Sequence, residues 1–267
     1  TSRKKRPSPW IATINNWQGG SSIMFEPVKV GLGEFLQGFY AELVPTTKDM
    51  HEFVDRGFPY CFAWAPSRMI DQVSEMLEAW QKNDTDQATT KPHKLPVIIV
   101  ATSKDYTPVM HDFGVQISDP IDIQFPEDPK GRYFQMKMIA GDIRAQLVII
   151  ASDEPTAKSI AAQFSLYLDS PSRRAFHGLY PFAGIQHAYP VQIEAPDNPA
   201  SNIDIGSKNM TCLAVDMTLK ATVPIFMAPK VGEANDGKGV PGTDDPAGYP
   251  LVQEFSANTV GLAKVTP

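Results

Sequence analysis

Cysteine is nearly missing from this chain of 267 residues, which has only two, Cys61 and Cys212. They lie far apart, in no metal or redox spacing, each among apolar or strand-like neighbours. They read as buried free thiols rather than a disulfide, which fits assembly in a reducing cytoplasm. Long apolar runs are missing too: none approaches the ~18–20 residues of a membrane span. The first ten residues, TSRKKRPSPW, have charge but no apolar run behind them, unlike a secretory signal. Without one, the glycosylation-like triplets Asn83-Asp84-Thr85 and Asn209-Met210-Thr211 read as chance. A net charge of −6 disfavours a protein that coats nucleic acid with its whole surface, though it leaves room for a local basic patch. No repeat occurs at solenoid periods.

Reactive constellations are equally scarce. His51, His93, His111, His177 and His187 show no zinc-type spacing with one another or with either cysteine. No glycine-serine-glycine elbow is present. Residues 232–239, GEANDGKG, nearly spell a phosphate-binding loop. Gly239 stands where a magnesium-holding serine or threonine is needed, however, and Pro241 follows where a helix should start. Asp112-Phe113-Gly114 matches the metal-binding triplet of kinases without its companion motifs. The acids Asp119, Asp122, Glu127 and Asp128 lack the alternate-position spacing of a calcium loop and read as a solvated turn. The expectation is therefore no catalytic residue, no metal and no cofactor.

What the chain does have is a scaffold centred on residues 132–170. Two strand-like runs, Tyr133–Ala140 and Ile143–Ala151, meet at Gly141-Asp142, a weak hairpin signal. The second is apolar on both faces at Leu147, Val148, Ile149 and Ile150, as a strand covered on both sides would be. Ser152-Asp153-Glu154-Pro155 then supplies a helix start: a polar cap, an early acid and a proline where no amide donor is needed. Ala157, Ile160, Ala161, Phe164 and Leu168 form one apolar stripe along the helix that follows.

Around this centre, Arg68–Lys82 has the periodicity of an amphipathic helix, with Met69, Ile70, Val73, Met76, Leu77 and Trp80 on one face. Leu95–Thr102 reads as a buried strand, and Gly114–Phe125 as one or two short strands broken at Asp119-Pro120. Ile185–Ile193 reads as a strand in which Pro190 marks an edge or bulge. Met210–Phe226 alternates Leu213, Val215, Met217, Leu219, Ala221, Val223 and Ile225 with a more polar set, as in a long half-buried strand. Trp10 to Trp64 is rich in aromatics, yet glycines interrupt any clean period. The tract after Ala228 is rich in glycine, proline and aspartate, as in a linker or extended arm.

The expected class is α+β: a mixed, mainly antiparallel sheet flanked by two main amphipathic helices, with extended N- and C-terminal arms. Residues 1–65 would form a basic arm and an irregular aromatic-rich segment, 66–226 the core, and 227–267 the C-terminal arm. Arg3, Lys4, Lys5 and Arg6 are the candidate interface residues, able to meet an acidic protein surface or phosphates.

The order of these segments resembles the tail terminator, or tail-completion, proteins of tailed bacteriophages. The residues that carry it are Arg144–Ala151, then Ser152-Asp153-Glu154, then Ala157–Leu168, and finally Thr211–Thr222. The resemblance covers roughly Pro66 to Phe226 and rests on pattern rather than on catalytic letters. The residues before and after it look more like a version from a contractile tail. It implies a virion structural protein that is not an enzyme: a homo-oligomeric ring, expected as a hexamer, capping the tail tube. It would be assembled in the host cytoplasm and carried in the tail or neck of the virion. Implied partners are the tail tube, sheath and head–tail connector, with incidental contact to packaged DNA and none to membrane. The alternatives are another neck or baseplate ring component, a small-molecule enzyme whose site folding assembles from scattered residues, and a DNA-associated protein acting through the basic arm.

Overall fold

Two strands of unusual length organise the molecule: β5, Tyr133–Ala151, and β9, Thr211–Met227. The computed structural model describes residues 24–65, 95–103, 106–108, 116–194, 200–203 and 210–251. The two strands pair antiparallel in unbroken register from Gln135 opposite Met227 to Ala151 opposite Thr211. Before them come β1 (Phe62–Trp64), β2 (Val97–Thr102), β3 (Thr107–Pro108) and β4 (Ile117–Gln124). Between them come β6 (Ala175–Phe182), β7 (Ile185–Glu194) and β8 (Ala200–Asn202). The nine-stranded sheet runs β1-β2-β5-β9-β7-β6, with β3 and β4 also on β5 and β8 on β9. The β1–β2 pairing is parallel and the remaining pairings are antiparallel. This is the α+β class with a mainly antiparallel sheet.

Side chains alternate across β5 and β9, so each strand feeds two faces. On one face Ile143, Ala145, Leu147 and Ile149 of β5 and Leu213, Val215, Met217, Leu219 and Ala221 of β9 join a single core. Ile98 and Val100 of β2 extend it, and helices cover it. On the other face Val97, Ile99, Val148, Ile150 and Cys212 form a smaller apolar cluster with Ala65.

The helices are α1 (Glu26–Glu42), α2 (Lys48–Arg56), α3 (Phe58–Cys61) and α4 (Glu154–Asp169). α4 starts where the acidic turn predicts: Asp153 caps it, its carboxylate accepting from the Thr156 amide at 2.8 Å, and Pro155 lies in the first turn. Its stripe of Ala157, Ile160, Ala161, Phe164 and Leu168 is buried. Thr47 caps α2 in the same way, and its hydroxyl lies 2.7 Å from that of Thr156. The two helix starts are thereby tied together.

Three expectations are corrected. The first is the hairpin at Gly141-Asp142, because β5 runs straight through it. Gly141 is there for space: a Cβ on it would lie 1.9 Å from the Tyr106 ring, whose hydroxyl donates to the Ala140 carbonyl at 2.6 Å.

The second is the irregular segment assigned up to residue 65, since residues 26–42 and 48–56 are helices of the core itself. Val28, Leu32, Phe35, Leu36 and Phe39 do follow helical spacing and are buried. Gly31, Gly33 and Gly38 hide the period, each costing ~1 kcal/mol of helix propensity that packing must offset. β1 then pairs with β2, so no boundary falls at residue 65.

The third is the first part of the C-terminal arm. Residues 228–251 do not leave the core but fold back on it as a strap, as the next subsection describes. The helix expected at 68–82, the basic residues 3–6 and the segment 252–267 lie outside the described residues.

Strands are present within the expected Leu95–Thr102, Gly114–Phe125 and Ile185–Ile193, while β1, β3, β6 and β8 are not among those expected. Ile117–Gln124 is one strand, its register against β5 shifting between Ile117 and Ile121, on either side of Asp119-Pro120. Pro190 sits where β7 parts from β9: their pairing starts at Val191, and Pro190 pairs only with His177 of β6. A residue without an amide proton is tolerated there.

Candidate functional site

A strap of turns after β9 is held by one arginine. Arg132, 1% exposed, sits just before β5 and gives both its Nε and its backbone amide to Asp128 Oδ2, at 2.9 and 2.8 Å. Its Nη2 meets Asp128 Oδ1 at 2.8 Å, while its Nη1 reaches Asp245 Oδ1 and the Pro246 carbonyl, both at 2.6 Å. A buried guanidinium is stable only when its donors are filled, and here the strap fills two of them. The hydrogen bonds from Arg132 hold the Asp128 carboxyl well below the usual carboxylate range, at about 2. Lys130 pairs with Asp245, Lys238 Nζ donates to the Gly131 carbonyl at 3.3 Å, and the Tyr249 amide donates to Tyr133 at 2.7 Å.

The loop that nearly spells a phosphate cradle has this structural task. A Cβ on Gly239 would lie 2.4 Å from the Pro246 carbonyl oxygen, and one on Gly248 would lie 2.5 Å from Asp236 Oδ2. Asp236 Oδ1 accepts from the amides of Lys238 and Gly248, at 3.0 and 2.9 Å. Glycine is required because the strap packs against itself and against Arg132. Sequence reasoning missed this arrangement. Its one local trace is the four-residue spacing of Asp128 and Arg132, since Asp245 is more than a hundred residues away.

Beside the clamp, at the far end of β5 and β9, Phe125, Phe134, Phe182, His187 and Phe226 form an aromatic cluster. Arg132 lies over the Phe134 ring at 5.3 Å. His187 packs against Phe125 with ring centres 4.0 Å apart, so it belongs to this packing.

The cysteines are inert in this setting. Cys61 donates to the Phe53 carbonyl at 2.9 Å beside Tyr40, and burial raises its pKa. Burial pushes the Cys212 thiol up to about 11. A catalytic thiol needs the opposite shift. Tyr40 ties α1 to the end of α2, its hydroxyl lying 2.7 Å from the Val54 carbonyl and accepting from the Gly57 amide at 3.0 Å. Burial raises its pKa as well.

The face of the sheet away from the helices carries a polar band across β5, β9 and β7. Arg144 pairs with Asp216 at 3.0 Å and Lys220 with Glu194 at 3.1 Å. Asp142, directly opposite Lys220, keeps its Oδ1 without a hydrogen-bond partner among the described residues, and burial raises its pKa. Cross-strand pairs of this kind set register and surface charge. They supply no nucleophile with a base beside it. Of the expected acid cluster, Asp119 and Asp122 are exposed on β4, Glu127 is exposed in the turn after it, and Asp128 is committed to Arg132. Among the described residues no group of three or more His, Cys, Asp or Glu is placed to hold a metal ion, and no helix is long and apolar enough to cross a membrane.

The remaining candidate is a surface. β4 is exposed at every position but Ile117 and Ile123, which are half-buried, and among the described residues it pairs on one side only, with β5. β6, at the end of the sheet, likewise pairs only with β7. The strap presents Val231 (80% exposed), Val240 and Leu251 outward. No protein-family model and no curated protein matches the chain.

Proposed function

We propose that this chain is a structural subunit that closes into a homo-oligomeric ring, of the kind a phage tail terminator forms at the end of a tail tube. The observation that carries this reading is β4. A strand with water on both faces and an unpaired outer edge is a liability for a solitary chain, and natural proteins blunt such edges or cover them with a partner. Here it stands beside long central strands whose helix-covered face is buried. Val231, Val240 and Leu251 on the strap add apolar surface for a neighbour to cover. The described residues offer packing, clamping and edges, and an assembly subunit works through these.

In this reading the ring caps the tube of a contractile tail and joins it to the neck. Its neighbours are tube, sheath and connector proteins, and Arg3, Lys4, Lys5 and Arg6 reach an acidic surface on one of them. The expected ring is a hexamer, and another ring of the neck or baseplate would use the same surfaces. Light scattering on the purified full chain, with electron microscopy of the particles, tests it. A closed ring of fixed copy number is expected, and a monomer at every concentration overturns it.

A further inference from the structure

Resting on that ring reading, we propose that, before any tail protein is met, Arg3, Lys4, Lys5 and Arg6 of each copy lie as a short added strand along the outer edge of β4 on the neighbouring copy. That edge is open. Residues 118–122 and Gln124 of β4 are exposed, and among the described residues its strand pairing is with β5 alone. It is also acidic. β4 carries Asp119 and Asp122 and no cation, and Glu127 is exposed in the turn that follows. Asp122 accepts from a neutral donor, the Gln135 side-chain amide, at 3.2 Å. Among the described residues no ion pair involves these three acids, and the cations after the turn are engaged elsewhere: Lys130 by Asp245, and Arg132 by Asp128 and Asp245.

Charge and length identify the occupant. The stretch TSRKKRPSPW holds four cations and no acid. Pro120 has no amide proton, so the usable ladder of β4 is 121–124, which pairs with β5 without a register shift. Pro7 likewise limits an added strand to the residues up to Arg6, and Arg3–Arg6 matches that ladder in length. Consecutive cations fall on both faces of such a strand, so Asp122 meets one whichever way it points. Backbone hydrogen bonds hold an added strand of this kind, and side chains select it. A second β4 is the wrong occupant, because it would set Asp119 and Asp122 against the same acids, and like charges opposite one another are destabilising. Residues 7–23 can span at most ~60 Å, more than the breadth of ~50 Å expected of a chain this size, so the neighbour's β4 is within reach. A copy that gives one segment and receives one forms a heterologous junction. Repeated around a ring until it closes, that junction leaves no β4 bare.

The experiment uses two full-length variants, R3E/K4E/K5E/R6E with the segment reversed in charge and D119K/D122K with β4 reversed. Their folding is checked by far-ultraviolet circular dichroism, and their mass by light scattering. Each alone should need at least ~10-fold more protein than wild type to assemble. Mixed in equal amounts, they should assemble as wild type does, because each acidic segment then meets a basic β4 and each basic segment an acidic one. A segment lying on its own β4 cannot be rescued by mixing, so loss without rescue overturns the junction. A wild-type oligomer whose variants assemble unchanged also overturns it and leaves the ring reading standing. A wild-type chain that is monomeric at every concentration overturns both. If either variant misfolds, carbodiimide cross-linking of the wild type decides: a link between copies from Lys4 or Lys5 to Asp119 or Asp122 is expected, and an oligomer without it overturns the junction.

Discussion

A Cβ placed on Gly31 of α1 would lie 2.4 Å from the carbonyl oxygen of His177 in β6. The helix sits directly on the backbone of the end strand, and Gly178 meets Pro27 from the other side, where an added Cβ would lie 3.4 Å from the Pro27 carbonyl. This contact fixes how far α1 stands from the sheet, and with it the position of Phe35, whose ring lies 5.7 Å from that of Phe176.

Gly31→Ala should therefore destabilise the protein. In an open helix the change gains up to ~1 kcal/mol of propensity. Here the strand or helix must move, and overpacking costs about 1–3 kcal/mol. A lower urea midpoint with an unchanged slope is expected, and a midpoint at or above wild type would show that α1 does not approach β6 this closely.

Arg132→Met leaves the Asp128 carboxylate buried without its partner, which costs about 3–5 kcal/mol. Adding Asp128→Asn should restore part of that loss, because an amide carries no charge to strand. Additive losses in the double variant would remove the clamp. The same pair predicts an acid limb. The Asp128 pKa is depressed on folding from its ordinary 3.8 to about 2, so its contribution is present above pH 3.8 and lost as pH falls through 2. Acid unfolding of Asp128→Asn should be shallower than wild type over that interval.

A loose arm could be cut after Met227 without loss to the core. With the strap holding Arg132 through Asp245 and Pro246, the truncated chain should instead melt lower. Gly248→Val tests this within the full chain, as its side chain has no room beside Asp236 and Arg132. Limited proteolysis at Lys230 or Lys238 should speed up at least several-fold. Unchanged cleavage would mean the strap is not docked.

Tyr180 is buried, 5% exposed, and its hydroxyl has no hydrogen-bond partner among the described residues. An unpaired buried hydroxyl is a cost. Tyr180→Phe should leave the melting temperature unchanged or raise it, and a drop of several degrees would reveal a partner for the hydroxyl.

Both thiols should resist a disulfide reagent at pH 8 in the native protein and react fully once it is unfolded. Fast native reaction at Cys212 would contradict its raised pKa of about 11.

The residue pattern alone determined the α+β class, the buried strand in Leu95–Thr102, the helix started by Ser152-Asp153-Glu154-Pro155 and the long alternating strand in Met210–Phe226. Each of these is written in neighbours two to four residues apart, which is the range over which periodicity and capping act. Tertiary structure alone decided the rest. Gly141 is a place for the Tyr106 ring rather than a turn, glycine-broken α1 is a core helix, and residues 228–251 are a strap. The physical reason is the same each time: glycine and buried charge take their meaning from what lies within 3 Å. For Gly31, Gly141 and Arg132 the decisive neighbours are respectively His177, Tyr106 and Asp245, all far along the chain.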